Sequence, residues 1–163
     1  MEKVQQLGKK LIQVGQTLTS AESLTGGLFS SSLTQVPGIS KVLPGAFVTY
    51  SPEAKTQLVG VPAPLIQEYG VVSAEVAKAM AKGAQQQLST DWAISFTGVA
   101  GPDALEGHLA GEVWIGVAAP KNQVLARQFN FKGTRDTVRM AAVQAGAAWV
   151  LSELNKVVTN ENN

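Results

Sequence analysis

Apolar residues recur at helical spacing from Val4 through Leu7 and Leu11 to Val14, with charged and amide side chains between them, so the chain opens on an amphipathic helix to about Gly15. The run from Thr17 to Ala21 then reads as a short strand. Leu28 to Leu33 returns to helical spacing, in a helix that ends near Val36-Pro37-Gly38. A second strand covers Ala46 to Tyr50, and the helix after it carries Lys55 and stops at Gly60. A short proline-led helix around Leu65 to Glu68 follows, then a longer one that opens at Ser73 and runs through Val76, Ala77 and Met80 to Leu88. Trp92 to Thr97 is the third strand. Val113 to Ala119 and Val124 to Phe131, separated by Pro120-Lys121-Asn122, form a hairpin. A final helix runs from about Thr134 toward Asn155 with Val138, Ala142, Ala145, Trp149 and Leu154 on its apolar face, and the tail Thr159 to Asn163 is polar.

Helices that first alternate with strands and then give way to a hairpin predict an α/β fold, a three-layer α/β/α sandwich around a mixed sheet of about five or six strands. Residues 1–158 read as a single domain and 159–163 as a tail. A chain of 163 residues with 45% hydrophobic content can bury a proper core. A net charge of +1 without lysine or arginine runs argues against a nucleic-acid surface and against electrostatic attachment to a membrane. The chain has no cysteine, which removes disulfides, thiol nucleophiles and thiolate metal sites. No signal peptide and no membrane-spanning stretch is read in it, so the expected location is cytoplasmic.

The first chemical candidate is Ser23, at a strand end just before Thr25, Gly26, Gly27 and a helix start. The glycines let the backbone come close to a ligand, and the first-turn N–H groups are expected to face an oxyanion or a phosphate beside Ser23. Taken alone, this segment is better accounted for by an ordinary capped turn. A second segment changes the balance. Ser51 is placed as an N-cap and Pro52 as the first helical residue, so Lys55 falls within or just after the first turn, with Tyr50 closing the strand before it. The helix field and burial both work against a protonated lysine there. A neutral lysine amine can take the proton of a serine hydroxyl, and Tyr50 could relay or orient that proton.

In open sheets ligands gather where loops from different strand ends converge. The loops after the first three strands carry Ser23, then Tyr50 with Lys55, then Thr97, Gly98 and Gly101. Thr97-Gly98-Val99-Ala100-Gly101-Pro102 is spaced to turn backbone N–H groups toward a phosphate or ribose, although a plain turn has the same composition. Arg135 and Arg139 lie one helical turn apart and are placed either on an exposed face or against a phosphate. Asp103, Glu106 and the single histidine His108 share a polar loop, and no metal is assigned to them.

Ala21-Glu22-Ser23-Leu24-Thr25-Gly26-Gly27, Val-Pro-Gly-Ile-Ser at 36–40, Gly-Ala-Phe-Val-Thr-Tyr-Ser-Pro-Glu-Ala-Lys at 45–55, Tyr-Gly-Val-Val-Ser at 69–73 and Phe-Thr-Gly-Val-Ala-Gly-Pro-Asp at 96–103 follow one another in a familiar order. With Gly133-Thr134-Arg135-Asp136-Thr137-Val138-Arg139 they make the chain resemble the C-terminal domain of the CinA (competence-damage-inducible) proteins over nearly its whole length. The resemblance implies hydrolysis of the carboxamide of nicotinamide mononucleotide to nicotinate mononucleotide and ammonia, without cofactor or metal. It makes Ser23 the nucleophile, Lys55 the general base and Tyr50 its helper, and it suggests a homodimer. Backbone N–H groups around Thr25 to Gly27 would stabilise the oxyanion. Ala104-Leu105 and Leu109-Ala110 stand where relatives usually carry glycines and a Lys-Pro pair, and Leu24 and Thr134 also replace more usual residues. The altered loop at 104–111 keeps open a Ser-Lys amidase for another small amide, and the main competing reading is a pyridine-nucleotide-binding or regulatory module without turnover.

Overall fold

A computed structural model describes residues 1–161. Helix α1 (Glu2–Val14) buries Val4, Leu7, Gly8 and Leu11 along one stripe, and strand β1 (Leu18–Glu22) follows with every residue buried. Helix α2 (Leu28–Leu33) stops short of the expected end near residue 36. Pro37 lacks an N–H and its ring would press on the carbonyl four residues back, which is that of Leu33. A single 3₁₀ turn at Ile39–Lys41 carries the chain to strand β2 (Phe47–Val48).

Strand β2 is shorter than the expected 46–50. Thr49 still donates its N–H to the Glu22 carbonyl, but its own carbonyl turns away to accept from the Lys55 amine, and the ladder ends there. Helix α3 (Pro52–Val59) starts as its sequence signals require: the Ser51 hydroxyl accepts the Ala54 N–H, Pro52 is the first helical residue, and Gly60 caps the end. Helices α4 (Ala63–Tyr69) and α5 (Ala74–Leu88) follow, the second capped by the Ser73 hydroxyl on the Val76 N–H. Strands β3 (Trp92–Gly98), β4 (Glu112–Ala119) and β5 (Gln123–Asn130) precede helix α6 (Arg135–Glu161), which extends beyond Asn155 into the segment expected as a polar tail; residues 162 and 163 lie outside the described residues.

The five strands form one mixed sheet in the order β2-β1-β3-β4-β5. Strands β2, β1 and β3 run parallel, with Ala21 opposite Phe47 and Ser95, while β4 and β5 return antiparallel as the expected hairpin. Alternation along the central strands sorts side chains by size. Leu18, Trp92, Ile94, Phe96 and Ile115 pack with α1, α2 and α6 on one face, whereas Ala21, Ala93 and Ala118 meet Val76, Met80 and Ala84 of α5 on the other. Small residues there bring α5 close enough for the Ser95 hydroxyl to donate to the Ala77 carbonyl at 2.6 Å. Among the described residues no helix is long and apolar enough to cross a membrane. Three parallel neighbours necessarily end on the same edge, and that edge carries the candidate chemistry.

Candidate active site

Ser23 follows β1 directly, and its N–H is held by the Phe96 carbonyl of β3 at 2.9 Å. The loop after it closes as a turn, with the Gly26 N–H on the Ser23 carbonyl at 2.9 Å. Gly26 and Gly27 have φ of 56° and 92°, so both occupy the left-handed region where a side chain is strained. Lys55 reaches this turn from α3. Its Nζ donates to the Thr49 carbonyl at 2.8 Å and to the Ser23 hydroxyl oxygen at 3.1 Å.

Lys55 is only 1% exposed. Burial pulls its pKa from 10.5 down to about 8, and the carboxylates of Glu106 and Glu53 offset part of that pull. At neutral pH roughly a tenth of such amines are unprotonated, against fewer than about one in a thousand for an ordinary lysine. The Thr49 carbonyl matters to what the neutral amine can do. By accepting one N–H it orients the nitrogen, so that the lone pair of the neutral form can turn to Ser23.

Beside Ser23 lies a cavity of about 330 Å³, walled by Ser23, Tyr50, the segment from Gly98 to Gly101, Leu105 and Arg135. The loops after β1, β2 and β3 therefore meet as expected. Their individual residues do not all face the cavity. Thr97 is buried and spends its hydroxyl on the Val71 carbonyl at 2.6 Å, so it supports the loop from beneath. Gly98 is required by strand packing, because a Cβ there would run into the Glu112 carbonyl and the Val113 backbone of β4. Gly101 turns its carbonyl, not its N–H, to a partner, accepting from Arg135 Nη1 at 2.7 Å. The expected cradle of inward N–H groups at 97–101 is thus largely a structural corner.

The two arginines part company. Arg135 lines the cavity and donates from Nη2 to the Tyr50 hydroxyl at 2.7 Å, with the other donors of its planar fork uncommitted. Arg139 instead braces the loop after Ser23, with Nε on the Leu24 carbonyl at 3.0 Å and Nη2 on the Thr25 carbonyl at 2.9 Å, and pairs with Asp136. Its geometry fits loop support, not a phosphate. Tyr50 is 57% exposed and its hydroxyl is joined to Arg135; among the described residues no hydrogen bond links it to Ser23 or Lys55. Tyr50 and Arg135 form a polar wall, and the expected relay through Tyr50 has no contact behind it.

Sequence reasoning misses Glu22. Its buried carboxylate accepts the N–H groups of Phe29 and Ser30 at 3.0 and 2.9 Å and the Ser20 hydroxyl at 3.1 Å. The start of α2, expected to face an anion bound beside Ser23, is therefore occupied by the protein's own carboxylate. An acid six residues ahead of the helix gave no local capping signal. The N–H groups of Leu24, Thr25 and Gly27 have no acceptor among the described residues, and the buried Thr25 hydroxyl has none either. His108 is tied to Glu112, with Nδ1 and Oε1 2.9 Å apart, and no group of three or more His, Asp or Glu among the described residues is arranged to hold a metal ion.

Residues 1–154 match the family described as the CinA C-terminal domain. A protein of Lactiplantibacillus plantarum named as a competence-damage inducible protein is 51% identical over 147 residues, which are 90% of this chain and 35% of the relative. One of Listeria welshimeri with the same name is 46% identical over 83% of this chain and 33% of its own length. The chain thus spans about a third of the curated relatives it matches. A CinA superfamily protein of Escherichia coli superposes with a TM-score of 0.87 at 34% identity, covering 91% of this chain and 87% of that one. Another, from Klebsiella pneumoniae, reaches a TM-score of 0.91 at 29% identity, covering 95% and 97%.

Proposed function

The chain belongs to the CinA C-terminal domain family, and from that footing we propose that it is a nicotinamide-nucleotide amidohydrolase, converting nicotinamide mononucleotide and water to nicotinate mononucleotide and ammonia. The observation that carries this reading is the buried Lys55 amine, pulled down to about 8 and 3.1 Å from the Ser23 hydroxyl at the mouth of a cavity that Arg135 also lines. A serine hydroxyl is a weak nucleophile until a base removes its proton, and a desolvated lysine is suited to that task at neutral pH.

In this mechanism Ser23 Oγ attacks the carboxamide carbon while its proton passes to Lys55 Nζ. The carbonyl oxygen becomes an oxyanion, for which the N–H groups of Leu24, Thr25 and Gly27 are the available donors, since that of Gly26 is spent within its own turn. The C–N bond breaks as Lys55 returns the proton to the nitrogen, and ammonia leaves. Water then attacks the Ser23 ester with the same base, releasing the carboxylic acid and restoring the hydroxyl. Arg135 takes the 5′-phosphate.

Leu105 in the cavity wall belongs to the loop where the sequence departs from the resemblance, and it favours a second reading, a Ser-Lys amidase for another small amide. Ammonia release by wild type, Ser23→Ala and Lys55→Ala is measured on nicotinamide mononucleotide and on its riboside, which lacks the phosphate. The expected result is loss of at least about a thousandfold in kcat/KM for either variant, with the nucleotide preferred over the riboside. Equal rates in all three proteins would refute the Ser-Lys assignment. Binding without ammonia release would make the domain a sensor, and turnover of a different amide alone would select the second reading.

A further inference from the structure

The cavity beside Ser23 is lined by charged side chains of opposite sign, Arg135 at the start of α6 and Asp103 in the loop between β3 and β4. Their situations differ. Arg135 is fixed by the Gly101 carbonyl and the Tyr50 hydroxyl, whereas Asp103 makes no hydrogen bond or ion pair with any described residue, so its carboxylate is available to a ligand.

The loop that presents Asp103 is built and held in place. Leu105 and His108 exchange both backbone hydrogen bonds, at 3.0 and 2.8 Å, across a tight turn in which Glu106 and Gly107 have φ of 51° and 81°. His108 is braced on Glu112, and the Gly111 N–H on the Val99 carbonyl at 2.7 Å anchors the returning strand. Leu105, on this same loop, also lines the cavity. An apolar side chain and an uncommitted carboxylate lining one cavity offer apolar surface and a negative charge together. That combination fits a cationic aromatic ring.

Resting on the reading that the cavity takes a pyridine nucleotide, we infer that Asp103 is a specificity-determining residue that selects a permanently cationic ring. The N-substituted pyridinium lies against Leu105 with its charge toward Asp103, and the phosphate lies toward Arg135. Neutral aromatic amides of the same shape lose the first of these contacts. The cavity thus offers a zwitterionic ligand both signs of charge, a guanidinium for its phosphate and a carboxylate for its ring.

The test is binding, measured in a Ser23→Ala background so that turnover does not intervene. The probes are nicotinamide mononucleotide and its dihydro form, which keeps the ribose and phosphate but has a neutral ring. The protein with Asp103 intact should bind the cationic form roughly fivefold more tightly, the upper range for a solvent-exposed ion pair, and high salt should narrow the gap. Asp103→Asn should remove the preference. Equal affinities with Asp103 present, or a preference that survives Asp103→Asn, overturns the inference, as does failure of both forms to bind. A wild-type protein that shows the preference yet releases no ammonia would sink the amidohydrolase reading and leave this one standing.

Discussion

Replacing Lys55 by methionine should abolish turnover and at the same time remove a pH-dependent cost from the fold. The amine is 1% exposed, and loss of its water lowers it from an ordinary 10.5 to about 8. Between those two values the unfolded chain still holds a proton that the folded chain has released, so the stability of the native state rises with pH across that window. Below it both states are protonated and the penalty is complete, about 3 kcal/mol, falling under about 1 kcal/mol by pH 10. Methionine has a similar length and nothing to titrate. It also leaves the Thr49 carbonyl without its donor, a loss of about 1–3 kcal/mol at every pH. The variant should therefore be as stable as wild type, or up to about 2 kcal/mol more stable, near neutral pH, and the less stable of the two near pH 10. Urea unfolding at a series of pH values, followed by the fluorescence of buried Trp92, measures the difference, and other titrating groups cancel between the two proteins. A difference that stays flat with pH would show that the folded amine keeps its ordinary affinity for protons. The base assignment would then fall with it.

Glu106 raises the proton affinity of Lys55, so Glu106→Gln should let it fall further and move the rising limb of kcat/KM to lower pH. A limb that stays in place or moves upward contradicts the electrostatic account. Glu22→Gln brings an amide donor against the Phe29 and Ser30 N–H groups and the Ser20 hydroxyl, and should cost about 2–3 kcal/mol in urea unfolding. An unchanged midpoint would mean that the start of α2 is held by something other than that carboxylate.

Much of the fold is legible in local sequence because its signals are local. Ser51-Pro52 and Ser73 announce helix starts through their own hydroxyls and ring, Gly60 ends α3, and alternation along Trp92 to Thr97 separates the two faces of the sheet. The extent of β2 was not legible, since its end depends on a lysine side chain capturing the Thr49 carbonyl. The fate of the arginines was equally hidden. Their spacing places both on one side of α6, yet Arg139 meets the Leu24 and Thr25 carbonyls while Arg135 extends to Tyr50.

Residue order alone determined the succession of helices and strands, the faces they bury and the presence of a serine and a tyrosine at strand ends with a lysine in the helix that follows the second, because periodicity and capping act over a few neighbouring residues. Only the folded molecule decided that Lys55 touches Ser23, which lies 32 residues earlier in the chain, that Thr97 and Gly98 serve packing, and that Glu22 occupies the helix end once open to an anion. Those outcomes follow from strand order and from burial. Both are sums over atoms contributed by distant segments, and no local stretch of sequence contains them.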